Sequence, residues 1–417
     1  MGRKRSRETG GTTRVALATA MVGGALFVLL AGWLVPWHPV PGGTPPAVPA
    51  GSVFTAAQID RAESFALWSR VWSWSGLAIS LAVTLWLGLG DRARQWAGRL
   101  RGPWWLQAVG LVGAVTVLAQ LAAVPSAIGL QRLHLAHGLA TDSWGAWTAD
   151  LVKSAGVTIV TTSLGVLFVL GCARRWTRTW PAIAGGGLAV LVVLGSFVYP
   201  LLIEPMFNQF HPLPDGALRT SILHLADQEG VHVDDVLVAD ASRRTTELNA
   251  YVSGFGSTRR VVLYDTVVDS LPPDQILSIV AHELGHAQHD DVATGTALGA
   301  AGALFAVGLL GALALALERR GWAAVGSPAG VPLILAMVAV GTFLALPVQN
   351  AISRKIETRA DVTALEVTRA PQPFITMQRE LALRSLSDPT PPALSQWWFG
   401  SHPTVLERVA IARQLGG

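Results

Sequence analysis

Ala281-His282-Glu283-Leu284-Gly285-His286 sets two imidazoles four residues apart, with a carboxylate beside the first. On a helix, residues i and i+4 share one face, so both rings converge on a single cation. Glu283 falls about 100° round the helical wheel, where it reaches a water rather than the ion itself. The flanking residues predict a helix over 274–289. Pro272 and Pro273 suit its start, Asp274 complements its N-terminal dipole, and Ile276, Leu277, Ile279, Val280 and Leu284 form an apolar face. Gly285 costs this helix about 1 kcal/mol relative to alanine, and its missing side chain admits the close approach of another backbone.

The pattern reads as a zinc hydrolase site, and a catalytic zinc takes three protein ligands while leaving a fourth position to water. The third donor must therefore come from elsewhere in the chain. Glu357 is the candidate, in the polar run Ser353-Arg354-Lys355-Ile356-Glu357-Thr358-Arg359-Ala360-Asp361, which reads as helical through Leu365. Asp361, one turn on, is placed to hydrogen-bond the outer nitrogen of a ligand histidine. The spacing fits equally a solvated acidic face with Arg354, Lys355 and Arg359 as local partners. His289 is set aside as a ligand, because three donors on one straight helix spread over about 10 Å of rise. Asp290 and Asp291 read as a polar boundary after the helix.

The chain has 417 residues, of which 51% are hydrophobic and 14% charged, a balance too apolar for a soluble protein of this size. Apolar stretches long enough to cross a bilayer fall at 14–35, 71–90, 104–125, 152–172, 182–203, 293–317 and 329–349. Seven membrane helices are expected. The first is too long in its apolar core for a cleavable signal peptide, and a Pro-rich stretch follows it. Trp33, Trp37, Trp104, Trp105, Trp176 and Trp180 stand at span ends and suit interfacial anchoring, while Trp86, inside the second span, suits a core position. The single Cys172 rules out an internal disulfide, and no interleaving of basic and aromatic residues suggests a nucleic-acid surface. The polar segments divide the chain into a membrane region, 1–203, and a catalytic region, 204–417. The latter comprises a zinc-binding insertion (204–292), spans six and seven (293–350) and a tail (351–417). Within the insertion, 219–230 reads as a helix, and 236–239 and 260–264 read as strands, the second a possible sheet edge for an extended peptide.

Several further stretches then accumulate in order: Pro205-Met206-Phe207-Asn208-Gln209-Phe210, Pro212-Leu213-Pro214-Asp215-Gly216, Asn249-Ala250-Tyr251 with Gly254, Arg260 to Thr266, and Ser401-His402-Pro403 with Arg408. With the His282–His286 core and the Glu357 and Asp361 pair, they make a chain that resembles the zinc-dependent CAAX prenyl proteases of family M48 over almost its whole length. The resemblance implies a predominantly α-helical polytopic membrane protein with seven transmembrane helices and a small α+β gluzincin-type zinc metalloprotease domain. It implies one Zn²⁺ per chain held by His282, His286 and Glu357, with Glu283 as general base and Asp361 supporting a ligand histidine or donating a proton. His402 and Arg408 match residues near the substrate carbonyl, and Asn249, Ala250 and Tyr251 match the strand that pairs with the peptide. The chain departs from better-known members at Ala287, where an aromatic often follows the second histidine, and carries no obvious organelle-retrieval signal before Gly417.

The expected partners are a peptide or protein substrate and the lipid bilayer, with no nucleic acid. The expected location is multi-pass in the plasma membrane. Basic residues at Arg3, Lys4, Arg5, Arg7, Arg92, Arg94, Arg99, Arg101, Arg174, Arg175, Arg178, Arg319 and Arg320 all fall on one side, which the positive-inside rule makes cytoplasmic. That puts the zinc domain on the other face, whereas the resemblance implies a cytosolic active site. A quality-control protease for membrane proteins shares every residue named, and a catalytically silent metal-binding receptor or transporter is the alternative from another class. The retained Glu283 argues against the silent reading, and the polar flanks of the histidine helix argue against an intramembrane site.

Overall fold

The computed structural model describes residues 2–416 apart from Phe255, without the side chains of 2–9, Ala93, Arg94, Pro200, Leu201 and Ser257; those of Arg3, Lys4, Arg5, Arg7 and Arg94 thus lie outside the described residues. Seven helices are long and apolar enough to cross a membrane. They are α1 (Gly2–Leu34), α2 (Ala56–Leu89), then, after the short α3 (Asp91–Arg99), α4 (Trp104–His137), α5 (Trp144–Arg175) and α6 (Trp180–Val198). Beyond the helices α7 (Ala217–Gln228), α8 (Asp265–Ser270) and α9 (Pro273–Gln288), the last two spans are α10 (Asp291–Glu318) and α11 (Val331–Thr368). Three helices close the chain: α12 (Pro371–Ser385), α13 (Ala393–Phe399) and α14 (Val405–Gly416).

Small residues let the spans approach. A Cβ on Gly23 would meet the backbone of Phe305, and one on Gly308 would meet the backbone of Ala20, so α1 and α10 lie nearly backbone to backbone. Six of the spans run longer than hydropathy alone indicates, whereas the fifth, expected to reach 203, ends at Val198 and gives way to a π-helical stretch, Tyr199–Ile203. The largest difference is at α11, where span seven and the polar run holding Glu357 are one unbroken helix of 38 residues. Pro347 lies inside it, a position that membrane helices tolerate.

One end of the bundle gathers its basic groups. Arg174 donates to the Gly326 carbonyl at 3.0 Å, the Thr12 hydroxyl donates to the Thr177 carbonyl at 3.1 Å, and Arg319 reaches Thr13. Two tryptophans differ from expectation. Trp180 is buried, packed with Cys172 and Ala314, and does not face an interface. Trp86 is 54% exposed, and the Arg92 guanidinium sits 4.6 Å from its ring centre.

The opposite end carries a four-stranded sheet in the order β1-β2-β4-β3, built from β1 (Phe210–Pro212), β2 (Asp235–Ala239), β3 (Ala250–Ser253) and β4 (Arg260–Tyr264). β2 and β4 run parallel, and β1 and β3 flank them antiparallel. The expected edge is therefore corrected: 260–264 is central, paired on both sides, and β3 is the edge. β-branched and aliphatic residues suit the two inner strands, since Val236, Val261 and Leu263 are fully buried on the face that meets α7 and α9. The same core takes in Ile276, Ile279 and Leu284 from α9, Val362 and Leu365 from α11, and Phe374 from α12. The Pro-rich segment after span one wraps this domain, with Val40 and Phe54 buried against it.

Candidate metal centre

α9 and α11 pack along one another, and Gly285 sits at their contact. A Cβ there would lie 3.2 Å from the Thr363 Cβ and 3.5 Å from the Ala360 Cα. The missing side chain lets α11 come near enough to bring Glu357 over the histidine face of α9.

The three donor atoms then form a small triangle. His282 Nε2 lies 3.2 Å from His286 Nε2 and 3.2 Å from Glu357 Oε2, and His286 Nε2 lies 3.6 Å from Glu357 Oε1. Ligands at about 2 Å from one ion in tetrahedral geometry stand about 3.3 Å apart, so these spacings fit a single small dication. Glu357 Oε2 is buried without a hydrogen bond, which matches an oxygen aimed at a cation. Among the described residues, this is the only group of three or more side chains so arranged. Burial of the two acidic side chains, 13% and 0% exposed at Glu357 and Asp361, excludes the solvated acidic face. The arginines of that run are occupied elsewhere: Arg354 donates to the Gln396 and Gly400 carbonyls, and Arg359 pairs with Asp291.

Each imidazole is held from behind by a carboxylate, and each carboxylate by an arginine. His282 Nδ1 lies 3.0 Å from Asp361 Oδ1, and Arg408 Nε donates to Asp361 Oδ2 at 2.8 Å. His286 Nδ1 lies 2.9 Å from Asp291 Oδ2, with Arg359 on the other oxygen. A proton on Nδ1 shared with a carboxylate leaves Nε2 as the free lone pair, as a metal ligand requires. With both aspartates neutralised by arginine, Glu357 and Glu283 supply the net negative charge facing a cation. Burial alone would lower His282, yet the Asp361 and Glu357 carboxylates beside its ring outweigh that and raise it to about 10, so the pocket favours positive charge.

Asp291 is thus no mere polar boundary. The sequence pattern missed it because Asp290 takes a left-handed turn (φ 51°), which folds the first residue of α10 back onto α9. His289 is turned away, its Nε2 3.2 Å from the Thr363 hydroxyl. The Glu283 carboxylate is raised by burial and has no hydrogen-bond partner among the described residues.

A capping box formed by Thr404 and Glu407 starts α14 and fixes the loop before it. That loop brings His402 Nε2 within 3.4 Å of Glu357 Oε2, on a side chain still 58% exposed. Arg408, on the first turn of α14, spends its guanidinium on Asp361 and lines the back of a cleft of ≈ 390 Å³ that His402 also borders. Asn249, Ala250 and Tyr251 lie at the start of the edge strand β3, which packs against α9. The Asn249 carbonyl accepts from the Tyr264 amide at 3.0 Å, and among the described residues no further strand covers the outer side of β3. Glu204, one turn beyond span five, accepts from the Ser253 hydroxyl at 3.2 Å, and burial together with the Glu204 charge raises Tyr251.

Known proteins are similar to this chain in sequence and in fold. The sequence profile of "Peptidase family M48" matches residues 212–415, and that of "CAAX prenyl protease N-terminal, five membrane helices" matches 55–209, a stretch holding four of the spans seen here. "Uncharacterized metalloprotease YhfN" of Bacillus subtilis (strain 168) is 30% identical over 338 residues, covering 80% of this chain and 79% of its own. "CAAX prenyl protease 1 homolog" of Oryza sativa subsp. japonica is 27% identical over 73% of each chain, and "CAAX prenyl protease 1" of Saccharomyces cerevisiae is 31% identical over 42% of this chain and 40% of its own. The fold matches the crystal structure of S. mikatae Ste24p with a TM-score of 0.77 at 20% identity, over 97% of this chain and 99% of that one. The chain is a multi-pass integral membrane metallopeptidase and belongs to peptidase family M48.

Proposed function

We propose that the protein is a zinc endopeptidase that trims peptides or protein tails laid along its edge strand. The triangle formed by His282, His286 and Glu357, with the unpaired Glu283 beside it, carries this reading. Two nitrogens and one oxygen at these spacings suit zinc, which when bound supplies a Lewis acid and lowers the pKa of water toward about 7. Glu283 takes the proton of the attacking water and passes it to the leaving amine. His402, at the exposed side of the triad, donates to the developing oxyanion. Asp361 and Arg408 orient His282 from behind and act as positioning residues. Asn249, Ala250 and Tyr251 hold the peptide backbone as an added strand.

On this reading 1–203 is a membrane region and 204–417 a peptidase region interrupted by spans six and seven. The relatives are named for prenylated CAAX substrates; here recognition through the backbone extends to tails without a prenyl group. The basic groups gathered at the far end of the bundle favour a metal domain on the non-cytoplasmic face of the plasma membrane.

The test is purified protein and its Glu283→Gln variant, assayed on one peptide made with and without a prenyl group. The variant should keep its zinc and lose about 10²- to 10⁴-fold in turnover. Undiminished hydrolysis by Glu283→Gln overturns the assignment of the base, and cleavage of the prenylated peptide alone overturns the broader substrate range.

A further inference from the structure

A polar cavity of ≈ 320 Å³ opens at the Asn249 end of β3, where the loop between spans three and four meets the metal domain. Its walls are tied together. Ala140 bridges Thr245 as an isolated pair of strand residues, the Thr141 amide donates to the Arg244 carbonyl at 3.0 Å, and the Thr246 amide donates to the Leu139 carbonyl at 3.1 Å. The cavity is therefore built by both halves of the protein.

Its charges do not balance. Arg244 is the one arginine in the wall, and its guanidinium is spent on Asp150, outside the cavity, with Nε 2.6 Å from Oδ2, and on the Phe207 carbonyl. Asp142 accepts only a neutral donor, Gln131 Nε2, at 2.7 Å. Glu247 is exposed, and its carboxylate has no hydrogen bond or ion pair among the described residues. His134 stands on the same wall, with its ring centre 5.6 Å from that of Phe65. The side chains of Asn249 and Tyr264 add two polar groups to the same wall.

We infer that this cavity is a side-chain subsite for a lysine or arginine of the bound peptide, with Glu247 as its counter-charge. The inference rests on the proposed pairing of substrate with β3. An added strand passes the mouth of the cavity at Asn249, and alternate side chains of a strand project to opposite faces, so one residue of the peptide points in. A carboxylate is disfavoured there, because the only arginine is already paired and two acidic groups face the space.

The experiment uses the full-length protein and a peptide panel in which each position in turn is Lys, Leu or Glu, read by cleavage with the wild-type chain and by binding to Glu283→Gln. One position should prefer Lys over Leu by about tenfold, the scale of one charge-assisted hydrogen bond. Glu247→Gln should bring that ratio to about one, with zinc content confirming the fold. A flat panel, a preference for Glu, or a Lys preference untouched by Glu247→Gln overturns the subsite. Lysine-selective binding to Glu283→Gln without cleavage of any peptide by the wild type would sustain the subsite and sink the peptidase reading instead.

Discussion

Asp291 Oδ2 lies 2.9 Å from His286 Nδ1, while the other oxygen of the same carboxylate is taken by Arg359 of α11. The contact fixes the ring of a candidate ligand from a helix that belongs to the membrane bundle. Groups that orient a ligand histidine in this way are worth about 10- to 100-fold in metal affinity. Asp291→Ala should lose zinc to a chelator correspondingly faster, measured by competition titration, and unaltered affinity would show that the ring is fixed by packing alone.

Glu357 is the only candidate ligand from outside α9. Glu357→Ala should lower zinc stoichiometry well below one per chain in metal analysis while the helical far-UV signal persists. Full zinc content would move the third donor elsewhere.

Glu229 is 4% exposed, and neither of its carboxylate oxygens has a hydrogen bond. Burial raises it from 4.5 to about 8, with His282 partly opposing the shift. Between those values the folded chain keeps a proton that the unfolded chain has released. Stability therefore falls as pH rises through that window, by about 1.4 kcal/mol per unit. Glu229→Gln should flatten the fall, so thermal unfolding should show the variant gaining on the wild type from pH 5 to pH 8. Parallel curves would mean that the carboxyl is ionised or hydrated in the folded state.

Glu204 joins span five to the edge strand through Ser253. Glu204→Ala should raise KM for peptides about fivefold, the worth of one ordinary hydrogen bond, with a smaller effect on kcat. A loss confined to kcat would deny the strand its role in binding.

The orientation is open to direct labelling because Cys172 is 2% exposed and leaves a quiet background. Ser270→Cys, on the metal domain, should react with an impermeant maleimide on intact cells, and Arg99→Cys only after permeabilisation. The reverse pattern would put the metal domain in the cytoplasm.

Much of this architecture is legible in local spacing. The His282–His286 interval, the apolar face of α9 and the seven apolar stretches each follow from one helix at a time. Whatever depends on two elements meeting is not. The strand at 260–264 is readable from its β-branched run, but its place between β2 and β3 depends on chain reversal. β1 and β3 have three and four residues, too short for a period to show. α11 outruns its apolar stretch because hydropathy stops near 349 while helix formers continue to Thr368. The Asp291 contact depends on one left-handed residue, Asp290, which no hydrophobic pattern encodes.

Because α11 is continuous, Glu357 rides on a rod whose other end belongs to the seventh membrane span. From Val331 to Glu357 the rod measures roughly 39 Å at 1.5 Å per residue, so a tilt of about 1.5° displaces the carboxylate by about 1 Å. Helices tilt to match bilayer thickness. The acyl-chain length of the surrounding lipid should therefore shift the geometry of the candidate metal centre, and turnover in liposomes of graded thickness should vary with it.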